Sequence, residues 1–184
     1  VLQANTTGQY NVGLGYYALR SSSTTNGNVG IGYRALTLST AGQNVAIGKD
    51  AMRLATTANQ NTAIGSSALD ALTTGNYNVA IGHGALTDAT TGQMNVAIGV
   101  SALGELTTGS DNVAVGHNVL KVATSSSGVG VGTDALRSTT SGARNTAVGM
   151  NALKFNTTGQ YNTALGFNAL NESTTANHNV AVGN

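Results

Sequence analysis

Residues 78–94 read NVAIGHGALTDATTGQM, and the chain is this phrase repeated. The opening five, Asn-Val-Ala-Ile-Gly or a close variant, recur eleven times, starting at Asn11, Asn28, Asn44, Asn61, Asn78, Asn95, Asn112, Gly128, Asn145, Asn162 and Asn179. Eight of the ten intervals are 17 residues and two are 16. A unit this short buries almost nothing alone, so it must stack on its neighbours. The sequence therefore predicts an all-β fold, a parallel β-solenoid of about eleven 16–17-residue coils, with residues 1–184 forming a single repeat array.

Composition agrees with order of an unusual kind. Charged residues make up 8% of the chain and aromatics 4%, while Gly, Ala, Asn, Ser and Thr fill the difference. Disordered chains of low hydrophobicity are usually rich in Pro and charge. Here Pro is absent and the aliphatic residues are strictly spaced. A net charge of +1 gives no electrostatic footprint for nucleic acid or anionic membrane. No window approaches the roughly 18 uninterrupted apolar residues of a membrane helix, and Val1 to Gly8 lacks the basic start and apolar run of a signal peptide. With no cysteine there is no disulfide framework and no thiolate chemistry. Both ends fall inside a repeat, without the polar capping units that solenoids normally carry, which predicts a segment of a longer fibre or a subunit stacked end to end.

Within the phrase, side chains of an extended segment alternate between faces. The second and fourth places then share one face, as Val45 and Ile47 or Thr163 and Leu165 do, and β-branched residues there favour a buried, pleated strand. The third place is only Ala or Gly in all eleven copies, from Gly13 to Ala181. A water-exposed face would have admitted polar residues, so this column is expected to be covered by a sister chain, with a side-by-side homotrimer as the solution. The alternative is that Ala fills a narrow core while Val or Thr faces solvent. The opening Asn (Asn28, Asn44, Asn61, Asn78, Asn95, Asn112, Asn145 and Asn162) is expected to form a structural ladder from coil to coil. The closing Gly is invariant, as positive φ or close backbone approach at a corner requires. The Leu of the Ala-Leu pair should fill the interior, on a second limb that the sequence leaves open between a short helical or irregular turn and a second strand, and Thr-Thr-Gly makes the far turn. The two 16-residue units should take their deletion in this limb or turn.

These residues resemble a known group. NTALGFNALNESTTANHNVAVG and NALKFNTTGQYNTALG resemble repeats of viral and bacterial fibre proteins, notably phage tail-fibre shafts. The NVAIG core is similar to the head repeats of YadA-like trimeric autotransporter adhesins, whose period is shorter. The resemblance spans essentially the whole chain. It implies a left-handed β-roll with three chains side by side, located on a virion tail fibre or an extracellular cell surface.

Few residues are placed for chemistry. His83 and His117 share one repeat place two coils apart, about 10 Å, too far to share a metal. That column also holds Tyr16, Lys49, Val100 and Met150, so no metal or other cofactor is expected. The acidic residues scatter over variable places as a solvated outer face, with Lys49 beside Asp50 and Asp134 near Arg137. No base accompanies the many Ser and Thr, and an enzyme is the least expected class. Tyr10, Tyr77 and Tyr161, all in the place before Asn, are the candidate glycan contacts, against the plainer reading that they pack over neighbouring coils. Asn5, Asn156 and Asn171 fall in N-x-[ST] sequons, which such a repeat generates by accident. The expected function is a structural shaft supporting host or surface attachment. Its partner is the chain itself, as homotrimer or end-to-end fibre, and a host glycan or receptor is a further candidate. Direct glycan binding is the alternative. Ice binding by stacked Thr is less favoured, because the Thr pair slips register at Thr24-Thr25 and Thr139-Thr140.

Overall fold

A computed structural model describes residues 2–184. Eleven three-residue strands, from β1 (Val12–Leu14) through β5 (Val79–Ile81) and β6 (Val96–Ile98) to β11 (Val180–Val182), form one parallel sheet in sequence order. Each strand pairs in register with the next, as Val79 with Val96, Ala80 with Ala97 and Ile81 with Ile98. The chain is a β-solenoid, and no helix occurs among the described residues.

The strand faces are the reverse of the expected ones. Ala46, Ala63, Ala80, Ala97, Ala114, Ala147 and Ala164 have no exposure within the single chain, whereas Val12, Leu14, Ile64, Ile98 and Leu165 are exposed. The core therefore sits on the Ala side. A Cβ added to Gly30 would lie 2.9 Å from Leu19 Cγ, and one added to Gly130 would lie 2.4 Å from Val119 Cγ1. The third place is held to Ala or Gly because the second limb of the preceding coil presses against it from inside the same chain. A sister chain is not needed to explain that column, and the homotrimer loses the ground on which the sequence argued for it.

That second limb is neither helix nor strand. After the closing Gly, the backbone turns so that Ala35 N–H donates to Gly32 O at 3.4 Å, then Leu36 N–H donates across to Ala51 O of the next coil at 3.0 Å. Coil-to-coil bonding thus continues where the strand stops. Leu19, Leu36, Leu69, Leu86, Leu103 and Leu153 fill the interior, each with no exposure. They do so in a left-handed conformation, with φ near 50° at Leu19, Leu69 and Leu153. Such a backbone costs an ordinary residue about 1–2 kcal/mol. Interior packing of the largest recurring apolar side chain outweighs it. The closing glycines combine both constraints: Gly82 has φ +134°, and a Cβ there would lie 2.5 Å from Gly99 O.

Candidate functional site

Four outward surfaces position every group with chemical potential: the strand face, the limb, the Thr turn, and the column before Asn. The opening Asn side chain lies inside, beneath them. Asn78 Oδ1 accepts from Asn95 N–H at 3.0 Å, and its Nδ2 donates to Gly92 O at 2.8 Å. The same pair of bonds recurs at Asn28, Asn44, Asn61, Asn95, Asn112 and Asn162, all essentially unexposed. Asn145 Oδ1 accepts from Asn162 N–H, and its Nδ2 reaches Gly159 O at 2.7 Å. Amide-to-amide bonds join Asn61, Asn78, Asn95 and Asn112 to their predecessors at 3.1–3.3 Å. These buried amides serve the backbone of the next coil through Oδ1 and of their own coil's far turn through Nδ2, and are not available to a ligand.

The three candidate glycan tyrosines have different surroundings. Tyr161 stacks on His178 with centroids 5.0 Å apart and planes 4° from parallel. The Arg144 guanidinium lies 5.3 Å from its ring centroid and also bonds its hydroxyl. Tyr161 is packed over neighbouring coils, as the plainer reading had it. Tyr10 is 84% exposed at the first coil. Tyr77 borders a groove of ≈ 560 Å³ with Thr24, Asn26, Gln43, Asn59 and Gln60. The three do not converge. A cluster that sequence reasoning did not assemble brings Tyr16 within 4.0 Å of Tyr17 and stacks it on Tyr33 at 5.8 Å, with Arg20 over Tyr17 and Arg34 over Tyr33. The run Tyr16-Tyr17 was the available signal.

The groove at Tyr77 has a local cause. Asn44 Nδ2 reaches fourteen residues ahead to Ala58 O, but Asn28 Nδ2 reaches only thirteen ahead, to Ala41 O. Thr40 keeps its place, bonding Thr56 O through Oγ1 at 3.0 Å. The 16-residue coil therefore lacks the second Thr of the turn, and the missing side chain indents the surface.

The Thr turn is more regular than the sequence indicated. Thr6, Thr40, Thr56, Thr73, Thr90, Thr124, Thr140 and Thr157 occupy one column, each donating through Oγ1 to the carbonyl of the equivalent residue one coil on. The Thr pair does slip by one place at Thr24-Thr25 and Thr139-Thr140, but the column continues through it: Ser23 takes the place before Thr24, and Thr139 turns inward with no exposure. These hydroxyl donors are spent on the solenoid itself. The neighbouring second-Thr column is interrupted at both 16-residue coils.

Charge concentrates on the limb, in ion pairs between coils. Arg34 Nε lies 2.7 Å from Asp50 Oδ1, Arg53 Nε lies 2.9 Å from Asp70 Oδ1, and Lys154 Nζ lies 3.1 Å from Asp134 Oδ2. Asp50 pairs with Arg34 and not with its sequence neighbour Lys49, while Arg137 does approach Asp134, at 3.9 Å. Burial alone would raise the Asp134 carboxyl, but the Lys154 hydrogen bond and charge, with Arg137, hold it below the usual carboxylate range. Among the described residues no three His, Asp or Glu side chains are grouped to hold a metal. Of the sequons, Asn156 is fully buried, its Nδ2 donating to Gly159 O at 3.1 Å, so an attached glycan has no room there.

The class that the geometry defines is a parallel β-solenoid whose buried polar groups maintain the winding. Comparison with protein-family models, curated proteins and solved structures found no match for this chain.

Proposed function

We propose that the chain is the shaft of an extracellular fibre, on a virion tail or a bacterial surface, holding an attachment tip away from the particle or cell. The observation that supports this reading most is the unbroken stack of eleven in-register coils, whose recurring polar side chains bond from coil to coil. At about 4.8 Å per coil such a stack is roughly 50 Å long. Every added repeat lengthens it without adding a new kind of surface, which suits a spacer. Association with copies of itself, as a homotrimer or end to end, belongs to this reading. No catalytic role is proposed. Small-angle scattering is expected to give the profile of a rod whose cross-sectional dimension is well below its length; a compact, near-spherical particle would overturn the shaft.

A second reading, direct glycan binding, is favoured by one feature. The indentation beside Tyr77 combines an unstacked aromatic ring with carboxamides from Asn26, Gln43, Asn59 and Gln60, and neutral sugars are commonly held by such groups. Inserting Thr between Thr40 and Ala41 should refill the indentation and abolish any oligosaccharide binding that the unaltered chain shows. Binding that survives the insertion removes this site from consideration. Ice binding draws less support, because the Thr donors are committed to the next coil. Thermal hysteresis is expected to stay within assay noise.

A further inference from the structure

Of the twenty-two side chains on the outer face of the sheet, nineteen are Val, Ile or Leu, and the other three are Thr62, Thr146 and Thr163. None carries charge. Of the chain's fifteen Lys, Arg, Asp and Glu residues, thirteen lie on the limb between the closing Gly and the Thr turn; only Asp111 and Arg144 lie elsewhere. The apolar face is not a closed hydrophobic layer of the single chain. Away from the end strands β1 and β11, Leu165 is 46% exposed, Ile98 38% and Ile64 37%, and the other aliphatic side chains of the face are half-buried. We infer that this face is the lateral interface of the shaft, buried against a second copy of the same chain. The inference rests on the shaft reading and names its partner.

Three observations choose a second copy over another occupant. Size comes first. Eleven strands at about 4.8 Å, each three residues wide at about 3.3 Å, give a bare strip of ~500 Å², the area per partner of an association at the small end of the specific range. That lies in the upper part of the range for the largest apolar patch of a monomer, and patches of that size are often functional. The second is period. The face is a set of ridges that repeat at strand spacing from β1 to β11, and another copy presents ridges of the same spacing. Two such faces can interdigitate about 10 Å apart, as the layers of a β-sandwich do. The third is charge. A face with no ionisable group in eleven coils offers nothing to an acidic or basic partner, while self-association strands no charge.

This places the contact on the side opposite the one that the Ala column indicated. Two copies meeting through this face about a two-fold axis bury it completely. A threefold bundle needs each chain to offer a second surface as well, and the column from Tyr16 to Phe167 flanks the strip.

Sedimentation velocity on the full chain from about 1 to 100 μM tests the inference, comparing it with Ile81→Lys/Ile98→Lys and with a turn control, Thr74→Lys/Thr91→Lys. The unaltered chain and the control are expected to sediment as multiples of 18.3 kDa. The strand-face variant should fall to 18.3 kDa, with association at least 100-fold weaker and an unchanged circular dichroism spectrum. Should the lysines prevent folding, Ile98→Cys provides a gentler probe, since the chain has no other cysteine. Oxidation should then trap a disulfide-linked pair, whereas Thr91→Cys should not. An unaltered chain at 18.3 kDa throughout, or an assembly indifferent to strand-face lysines, would overturn the interface. Scattering from the monomeric variant separates the two claims. A rod that does not associate contradicts only the interface, and a compact particle contradicts the shaft.

Discussion

At the residue scale, three kinds of position control the winding, and they differ in how openly the sequence declares them. The closing Gly was legible, because eleven identical residues at one place leave few explanations. Gly82→Ala should cost at least ~2–3 kcal/mol in urea unfolding, from strain at φ +134° and a Cβ 2.5 Å from Gly99 O. The ladder Asn was legible as a column, but its bonds were not. Its amide serves the main chain of its own coil and of the next before it serves another amide. Asn78→Ala leaves Asn95 N–H without its acceptor and Gly92 O without its donor, and should lower stability by about 2–4 kcal/mol in the same assay. Left-handed Leu was not legible at all, since nothing in local preference marks Leu19 or Leu69 for φ near 50°. The neighbouring left-handed place did carry a sign, with Gly84, Asn118, Asn151 and Asn168 among its occupants. Gln60, at φ 55°, predicts the opposite response to Gly82. Gln60→Gly should leave stability unchanged or raise it by up to about 1 kcal/mol, because the left-handed strain is relieved.

At the scale of the element, the strand tolerates no change of register, and the turn does. Removing Ala80 from β5 would reverse which side chains face the core in that coil, and cooperative unfolding should be lost. Adding Thr between Thr40 and Ala41 restores the common period and should change stability by less than about 0.5 kcal/mol. The strand's existence was readable from the phrase, but its inner side was not. A column restricted to Ala and Gly signals tight contact without saying what makes it, and here Leu19 and its equivalents do so from within. The ion pairs between coils were also beyond local reading, because Asp50 meets Arg34 one coil before it, whereas the proximity of Arg137 to Asp134 was legible. Asp134 gives these pairs a pH signature. Its folded carboxyl is held low, so its contribution is present above the ordinary carboxylate value and is lost as pH falls through the folded one. Thermal stability should decline below about pH 4, and Asp134→Asn should remove a part of that decline worth less than about 1 kcal/mol.

At the scale of the whole molecule, the period alone determined the architecture. One coil has no core, and eleven stacked coils have a continuous one. The distribution of groups over the faces was not legible in the period: charge on the limb, committed hydroxyls on the turn, aliphatics on the sheet. The shaft and its lateral interface both depend on the coils advancing evenly along one axis. Pulsed electron–electron resonance on spin-labelled cysteine pairs measures that advance directly, with unlabelled chain in excess so that only distances within one chain count. Tyr33, His117 and Phe167 occupy equivalent places in the coils that contain the second, seventh and tenth strands. At about 4.8 Å per coil, labels at Tyr33 and His117 should lie about 24 Å apart, and labels at Tyr33 and Phe167 about 38 Å apart. A separation that failed to grow with the number of intervening coils would contradict the solenoid and everything built on it.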